Sequence, residues 1–177
     1  MGVIETPLDL LKYYHAAARG TILVISGWRG VGKSRYCQQA VMQFCQAGIK
    51  VSGILSPARF EDGHKTGIFS QDIASGETQL LASTIKQEII GVRLGPYFFD
   101  ADVVKWSDEC IRRIESGDLV VIDELGFLEF DRQDGLVSSF EVLRKKHYQL
   151  AMVVIRPECV AAFSKMSFDF DLIEIDA

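Results

Sequence analysis

The sequence predicts an α/β fold in which helices flank a mainly parallel sheet, with a small antiparallel extension. Three short apolar, β-branched runs, at residues 21–25, 119–122 and 151–155, are typical of buried parallel strands. Segments with the apolar spacing of helices separate these runs. The length of 177 residues and the hydrophobic content of 48% suit one domain with a real core. We therefore expect a single domain over residues 1–177, in which residues 1–20 form an N-terminal helical extension.

Thr6, Pro7 and Asp9 mark the start of that N-terminal helix. Threonine is a good N-cap, proline fits the first helical position, and aspartate is favourable in the first turn. Gly20 is a candidate C-cap. We expect this helix to cover the edge or floor of the sheet.

The strongest motif follows the first apolar run. Residues 27–34 fit the phosphate-binding P-loop pattern G-x-x-x-x-G-K-S. In this pattern the glycines let backbone N–H groups approach an anion, the lysine reaches the β- and γ-phosphates, and the serine hydroxyl can ligate Mg²⁺. The residues expected to contact the nucleotide are Gly27, Trp28, Arg29, Gly30, Val31, Gly32, Lys33 and Ser34.

Both flanks of the loop agree with this interpretation. A buried strand precedes it, and the residues after it place apolar side chains on one helical face: Cys37, Ala40, Val41, Phe44 and Cys45. A strand, a glycine-rich loop and a helix N-terminus together form an anion site, because the helix dipole adds positive charge. The loop therefore predicts a nucleotide site.

A second motif lies about ninety residues further along the chain. The apolar run at 119–122 ends in Asp123 and Glu124, which is the Walker B pattern. We expect Asp123 to hold Mg²⁺ at the carboxyl end of a strand that neighbours the P-loop strand. Glu124 follows it, where a carboxylate can polarise an attacking water.

The segment between the two motifs predicts the antiparallel extension. Residues 49–55 form the next strand, residues 67–73 alternate like a half-buried strand, and residues 88–92 form another. The aromatic residues 94–99 occupy a predicted turn, where they either pack in the core or form a wall beside the base. Helices are predicted near residues 103–114, 136–147 and after Pro157, and an edge strand at 171–175.

Composition limits the partners. The net charge of −5, without a run of lysine or arginine, argues against nucleic acid, and the apolar runs are too short to span a membrane. The first nine residues lack the pattern of a signal peptide. The cysteines form no C-x-x-C pair, and Cys37 and Cys45 are expected to be buried. We expect a cytoplasmic monomer whose N-terminal helix is the surface for any protein partner.

These motifs together resemble the small P-loop nucleoside-triphosphatases, a family that includes the cancer-related nucleoside-triphosphatase and its bacterial and archaeal relatives. The likeness covers residues 21–160, and its specific parts are T-G-I-F-S-Q-D-I-A-S-G-E, L-G-P-Y-F-F-D and V-V-I-D-E-L-G-F-L-E-F. The resemblance implies a RecA-like sheet and slow, Mg²⁺-dependent hydrolysis of ATP, GTP or other triphosphates with little base preference.

The resemblance also implies roles for single residues. Lys33 and Ser34 would serve the phosphates and the metal, Asp123 the metal, and Glu124 the water. Arg93 matches a basic position of the family and either stabilises transition-state charge or forms a surface salt bridge. This chain departs from the family at Arg29, where proline is usual.

Two alternatives to hydrolysis stay open at this point. The first is a nucleotide or small-molecule kinase, in which an acceptor hydroxyl replaces water. The second is a nucleotide-gated binding module with little turnover.

Overall fold

The computed structural model describes residues 6–176. Its strands are β1 (Thr21–Ser26), β2 (Val51–Leu55), β3 (Ala58–Glu61), β4 (His64–Asp72), β5 (Thr78–Ser83), β6 (Val92–Leu94), β7 (Tyr97–Phe99), β8 (Gly117–Leu125), β9 (Tyr148–Ile155) and β10 (Asp171–Glu174). Its helices are α1 (Pro7–Ala16), α2 (Lys33–Gln46), α3 (Ala101–Arg112), α4 (Phe127–Asp131), α5 (Ser138–Lys145) and α6 (Pro157–Ser164).

One mixed sheet organises these elements. Its order is β10-β1-β9-β8-β2-β4-β5-β7-β6, and β3 pairs with β4. The five strands from β10 to β2 are parallel, whereas β3 to β7 add antiparallel pairs. The predicted fold class is therefore confirmed. We expected the strand of Asp123 to lie beside the P-loop strand. This prediction is wrong, because β9 lies between the two strands.

Alternating residues of the parallel strands build a core on each face of the sheet. Ile22 and Val24 pack with residues of α3, α5 and α6, including Phe163. Leu23 and Ile25 face the other way and pack with α1 and α2, including Phe44. The period of two in each strand accounts for both layers, since successive side chains point to opposite faces.

Helix α1 begins as predicted, with the Thr6 hydroxyl accepting a hydrogen bond from the Asp9 N–H at 3.3 Å. It ends earlier than expected, because Ala17 is the C-cap and Gly20 lies in the turn before β1. Residues 1–5 of the predicted N-terminal extension lie outside the described residues. None of the helices in residues 6–176 has the length and apolar character needed to cross a bilayer.

Two further local predictions were wrong. The strand expected at 88–92 is absent from that part of the described chain, where the Glu88 N–H closes a turn on the Ile85 carbonyl and the Glu88 carboxylate binds Arg59. Only Val92 of that segment belongs to β6. Cys45 is exposed, whereas Cys37 is buried as expected. The buried face of α2 passes through Phe44, and the next residue is rotated away from it.

Candidate active site

The loop at the carboxyl end of β1 runs directly into α2. Gly32 precedes the helix with a φ of 102°, in the left-handed region that glycine adopts without strain. Gly27 has no room for a side chain, because a Cβ would lie 2.4 Å from the Ile175 carbonyl oxygen. The sequence thus folds this loop so that the N-terminus of α2 faces an open cleft. A helix N-terminus favours an anion there.

Lys33, the first residue of α2, is buried, and its ammonium group lies against the loop. Its Nζ donates to the Gly27 carbonyl at 2.6 Å and to the Trp28 carbonyl at 3.1 Å. Both acceptors belong to the loop that would hold phosphate. The positive charge of Lys33 therefore lies next to the expected phosphate position.

Ser34 and Asp123 meet across the sheet. The Ser34 hydroxyl donates to Asp123 Oδ1 at 3.2 Å, although the two residues lie 89 positions apart. A third residue completes the arrangement: the Ser56 N–H donates to Asp123 Oδ2 at 3.0 Å, and the Ser56 hydroxyl donates to the Asp123 carbonyl. A hydroxyl and a carboxylate are oxygen ligands of the kind that Mg²⁺ prefers.

The Asp123 side chain is completely buried. Burial raises its pKa to about 7, against the opposing effect of the hydrogen bond from the Ser56 N–H. The negative charge of Glu124 raises the pKa further, whereas Ser34 and Lys33 lower it. A divalent cation would supply the positive charge that this buried carboxylate lacks.

Glu124, at the end of β8, forms an ion pair with Arg156. Arg156 directly follows β9, the strand between β1 and β8, and its guanidinium lies 5.9 Å from the centre of the Phe127 ring. Both charged residues line the cleft. The position of Glu124 suits a group that orients water, and Arg156 holds the carboxylate in place.

Two further cations share the ring of Tyr97. The Arg29 guanidinium lies 5.3 Å from the ring centre and donates to the Tyr97 hydroxyl at 3.0 Å. The Lys65 Nζ lies 5.9 Å from the same centre. Loss of solvation and then the charge of Arg29 lower the pKa of Lys65. The arginine that replaces the usual proline of this loop therefore points to the antiparallel extension.

Arg93 is not brought to the cleft with the other predicted residues. Its Nε donates to the Gly95 carbonyl at 3.2 Å, and its guanidinium lies 5.8 Å from the centre of the Phe98 ring. Both contacts fall within the β6–β7 hairpin. Val31 does not line the cleft either, and its side chain is half-buried.

Glu129 is a buried residue whose role the sequence did not reveal. Its carboxylate accepts hydrogen bonds from the Gly126 N–H at 2.7 Å and the Leu136 N–H at 2.9 Å. Burial raises its pKa. These two bonds join the start of α4 to the loop before α5, so Glu129 fixes one wall of the cleft. The sequence does contain one signal for this contact. Glu129 stands at the third position of α4, where a glutamate side chain commonly accepts a hydrogen bond from the N-cap N–H, here that of Gly126.

Most of the predicted site residues thus line one cleft of about 1080 Å³. They are Gly27, Trp28, Arg29, Gly30, Gly32, Lys33, Ser34, Asp123 and Glu124. Tyr97, from the aromatic stretch 94–99, also lines the cleft, and the structure adds Ser56, Lys65, Glu129 and Arg156. Arg156, like Glu129, had a sequence signal, because it directly follows an apolar strand of the parallel set.

Comparison with known proteins decides the family. The sequence matches the profile of the family described as NTPase over residues 22–176. The chain belongs to this NTPase family. Family membership confirms both the resemblance noted from the sequence and the predicted enzyme class, a nucleoside-triphosphatase.

Curated relatives of this NTPase are archaeal proteins named nucleoside-triphosphatase THEP1. The one from Methanosarcina acetivorans is 32% identical over 133 residues, covering 74% of each chain. The one from Methanosarcina barkeri is 27% identical over 156 residues, covering 87% of each chain.

Two solved structures share the fold. The solution structure of a human cancer-related nucleoside triphosphatase has a TM-score of 0.66 at 17% identity, covering 88% of this chain and 89% of its own. The crystal structure of THEP1 from Aquifex aeolicus has a TM-score of 0.56 at 16% identity, covering 88% and 90%.

Proposed function

We propose that this NTPase is a Mg²⁺-dependent enzyme that hydrolyses nucleoside triphosphates to diphosphates and phosphate with broad base tolerance. The observation that carries this proposal is the contact between the Ser34 hydroxyl and Asp123 Oδ1 at 3.2 Å. It joins the P-loop to the Walker B strand and pairs two oxygen ligands at the N-terminus of α2. When bound there, Mg²⁺ would neutralise charge on the phosphate oxygens.

The chain's own groups divide the remaining work. Glu124 orients a water for in-line attack on the γ-phosphorus and accepts its proton. A bond forms from the water oxygen to phosphorus as the bond to the β,γ-bridging oxygen breaks. Lys33 and the loop N–H groups stabilise the charge that develops on the phosphoryl oxygens. Arg156 holds the Glu124 carboxylate in place through their ion pair.

Base tolerance is supported by Trp28, a P-loop residue whose side chain is 64% exposed. An aromatic ring stacks on any base, because every base has a π-face. Stacking of this kind holds a nucleoside without reading its hydrogen-bonding edge. A cytoplasmic monomer with no nucleic-acid partner, organised as one domain, stays a prediction from the sequence.

The test is phosphate release from ATP, GTP, CTP and UTP with Mg²⁺, for the wild type beside Glu124→Gln. Slow release from all four is expected, falling on the order of a hundredfold or more in the variant while triphosphate binding persists. Glu158→Gln is the matched control, since Glu158 is another carboxylate at this cleft and is exposed. Equal rates in the two variants, or release that persists in a chelator, would contradict the proposal.

The same assay separates the two alternatives from hydrolysis. A kinase would release little phosphate until an acceptor is added. A nucleotide-gated binding module would bind triphosphate tightly, with no release above the level of Glu124→Gln.

A further inference from the structure

The cleft extends well beyond the phosphate-binding loop. Past Asp123 it continues over β2, β4 and β5, between the antiparallel extension on one side and α3 and α4 on the other. We call this part the far lobe. It is lined by Ile68, Ser70, Leu81, Phe99, Ser107 and Leu136.

Strand order shows how far the strands beneath this lobe lie from β1. Neighbouring strands are about 4.8 Å apart, so β8 with Asp123 lies about 10 Å from β1. Strand β4, which carries Ser70, is four positions from β1, or about 19 Å away. The far lobe therefore begins beyond the point where the γ-phosphate would meet Asp123 and Glu124.

The direction of the nucleotide leaves this lobe empty, an argument that rests on the proposed function. In-line displacement places the attacking group and the leaving diphosphate on opposite sides of the γ-phosphorus. Glu124 marks the attacking side, so the nucleoside extends away from it, toward Trp28, Arg35 and Gln38. The far lobe lies on the attacking side.

The far lobe has buried hydroxyls at its base and largely apolar walls. Its depth holds the hydroxyls of Ser70 and Ser107, which are 0% and 2% exposed, with their oxygens 2.7 Å apart. The Ser107 hydroxyl also donates to the Val103 carbonyl, so it accepts from Ser70, and the two buried hydroxyls satisfy each other beneath the lobe. The remaining walls are largely apolar or aromatic.

Positive charge stands where the far lobe meets the phosphate site. Arg29 and Lys65 both lie over the Tyr97 ring there. Within residues 6–176 neither side chain takes part in a salt bridge. Two cations outside any of these salt bridges, beside an apolar lobe, complement a ligand that has an anionic end and an apolar body.

We propose that the far lobe is a second ligand site, which takes a small organic anion while a triphosphate occupies the P-loop. The anionic group binds Lys65 and Arg29, and the body packs against Ile68, Leu81 and Phe99. A ligand so placed lies on the side from which the water attacks.

The experiment uses anilinonaphthalene sulfonate, an aromatic anion whose fluorescence rises in apolar sites. It is titrated into the full chain saturated with Mg²⁺ and a non-hydrolysable ATP analogue. Lys65→Gln removes the cation at the lobe, and Lys86→Gln is the matched control, because Lys86 belongs to the same extension but lies outside the cleft. Binding of the analogue itself is measured first, by calorimetry.

The probe is expected to bind the nucleotide-filled protein. Lys65→Gln should raise the Kd of the probe about tenfold, and Lys86→Gln should leave it unchanged. Displacement of the probe by the analogue, or equal affinities in the two variants, would overturn the second site while leaving the proposed function intact. If the analogue does not bind, the proposed function fails, and this inference falls with it.

Discussion

The buried carboxylate of Asp123 should make the metal-free protein less stable as the pH rises. Its pKa is about 7 in the folded chain against an ordinary value of 3.8. The folded state therefore binds the proton more tightly than the unfolded state does. The contribution of Asp123 to the free energy of unfolding is therefore most favourable below about pH 4 and becomes less favourable as the pH rises toward 7. Three units correspond to about 4 kcal/mol, of which about 3 kcal/mol falls between pH 4.5 and pH 8.

Asp123→Asn removes this titration. Relative to the wild type, we expect the free energy of unfolding of the variant to rise by about 3 kcal/mol between pH 4.5 and pH 8. The substitution can also change the free energy of unfolding by an amount that does not depend on pH, for example where the asparagine amide faces the Ser56 N–H. Such a constant change cancels when the two pH values are compared. Urea unfolding in a chelating buffer measures it, and Asp131→Asn, at an exposed carboxylate of the same cleft, is the control.

A difference between Asp123→Asn and the wild type that stays constant with pH would refute this reasoning. So would the same pH dependence in Asp131→Asn. Added Mg²⁺ should stabilise the wild type at pH 8 and leave Asp123→Asn unchanged, because the cation needs the charged carboxylate.

Three other substitutions test the scaffold and the site. Phe44→Ala, on the buried face of α2, should lower the free energy of unfolding by about 3–5 kcal/mol. Met42→Ala, on the exposed face of the same helix, should lower it by less than about 0.5 kcal/mol. Similar losses in the two variants would contradict the packing described. Glu129→Gln should lower the free energy of unfolding in urea by about 1–3 kcal/mol, because an amide cannot accept both backbone hydrogen bonds equally well. A loss no larger than that of Glu158→Gln would contradict this. Arg93→Gln should leave kcat within about twofold, since Arg93 lies in a hairpin outside the cleft; a loss of a hundredfold would restore the role implied by family resemblance.

The contiguous parts of the site could be predicted because their chemistry is local. Residues 27–34 form a loop whose glycines, Lys33 and Ser34 act through positions fixed by their spacing. Asp123 and Glu124 could be placed at a strand end for the same reason. Their partners could not be paired with them, since strand order decides which of Ser56, Lys65 and Arg156 lies beside each residue.

Strand order is also the main source of the errors. A buried apolar run shows that a strand lies inside the sheet but not which strand lies beside it, so β9 was missed between β1 and β8. The antiparallel extension was predicted, yet its edge at Val92 depends on the contact between Glu88 and Arg59, which lie far apart in sequence. The role of Arg93 stays a prediction from family resemblance, although Arg93 lies in a hairpin outside the cleft.

Strand β10 gives the molecule an uneven resistance to force. It is four residues long, it lies at the end of the sheet order beside β1, and the Ile175 N–H donates to the Ser26 carbonyl at 2.8 Å. Tension applied from the C-terminal side would therefore load this short strand first. Peeling it away would uncover Ser26 and Gly27 while the strands beyond β1 are still paired. An unfoldase that grips this side would disable the phosphate loop early, before the rest of the sheet comes apart.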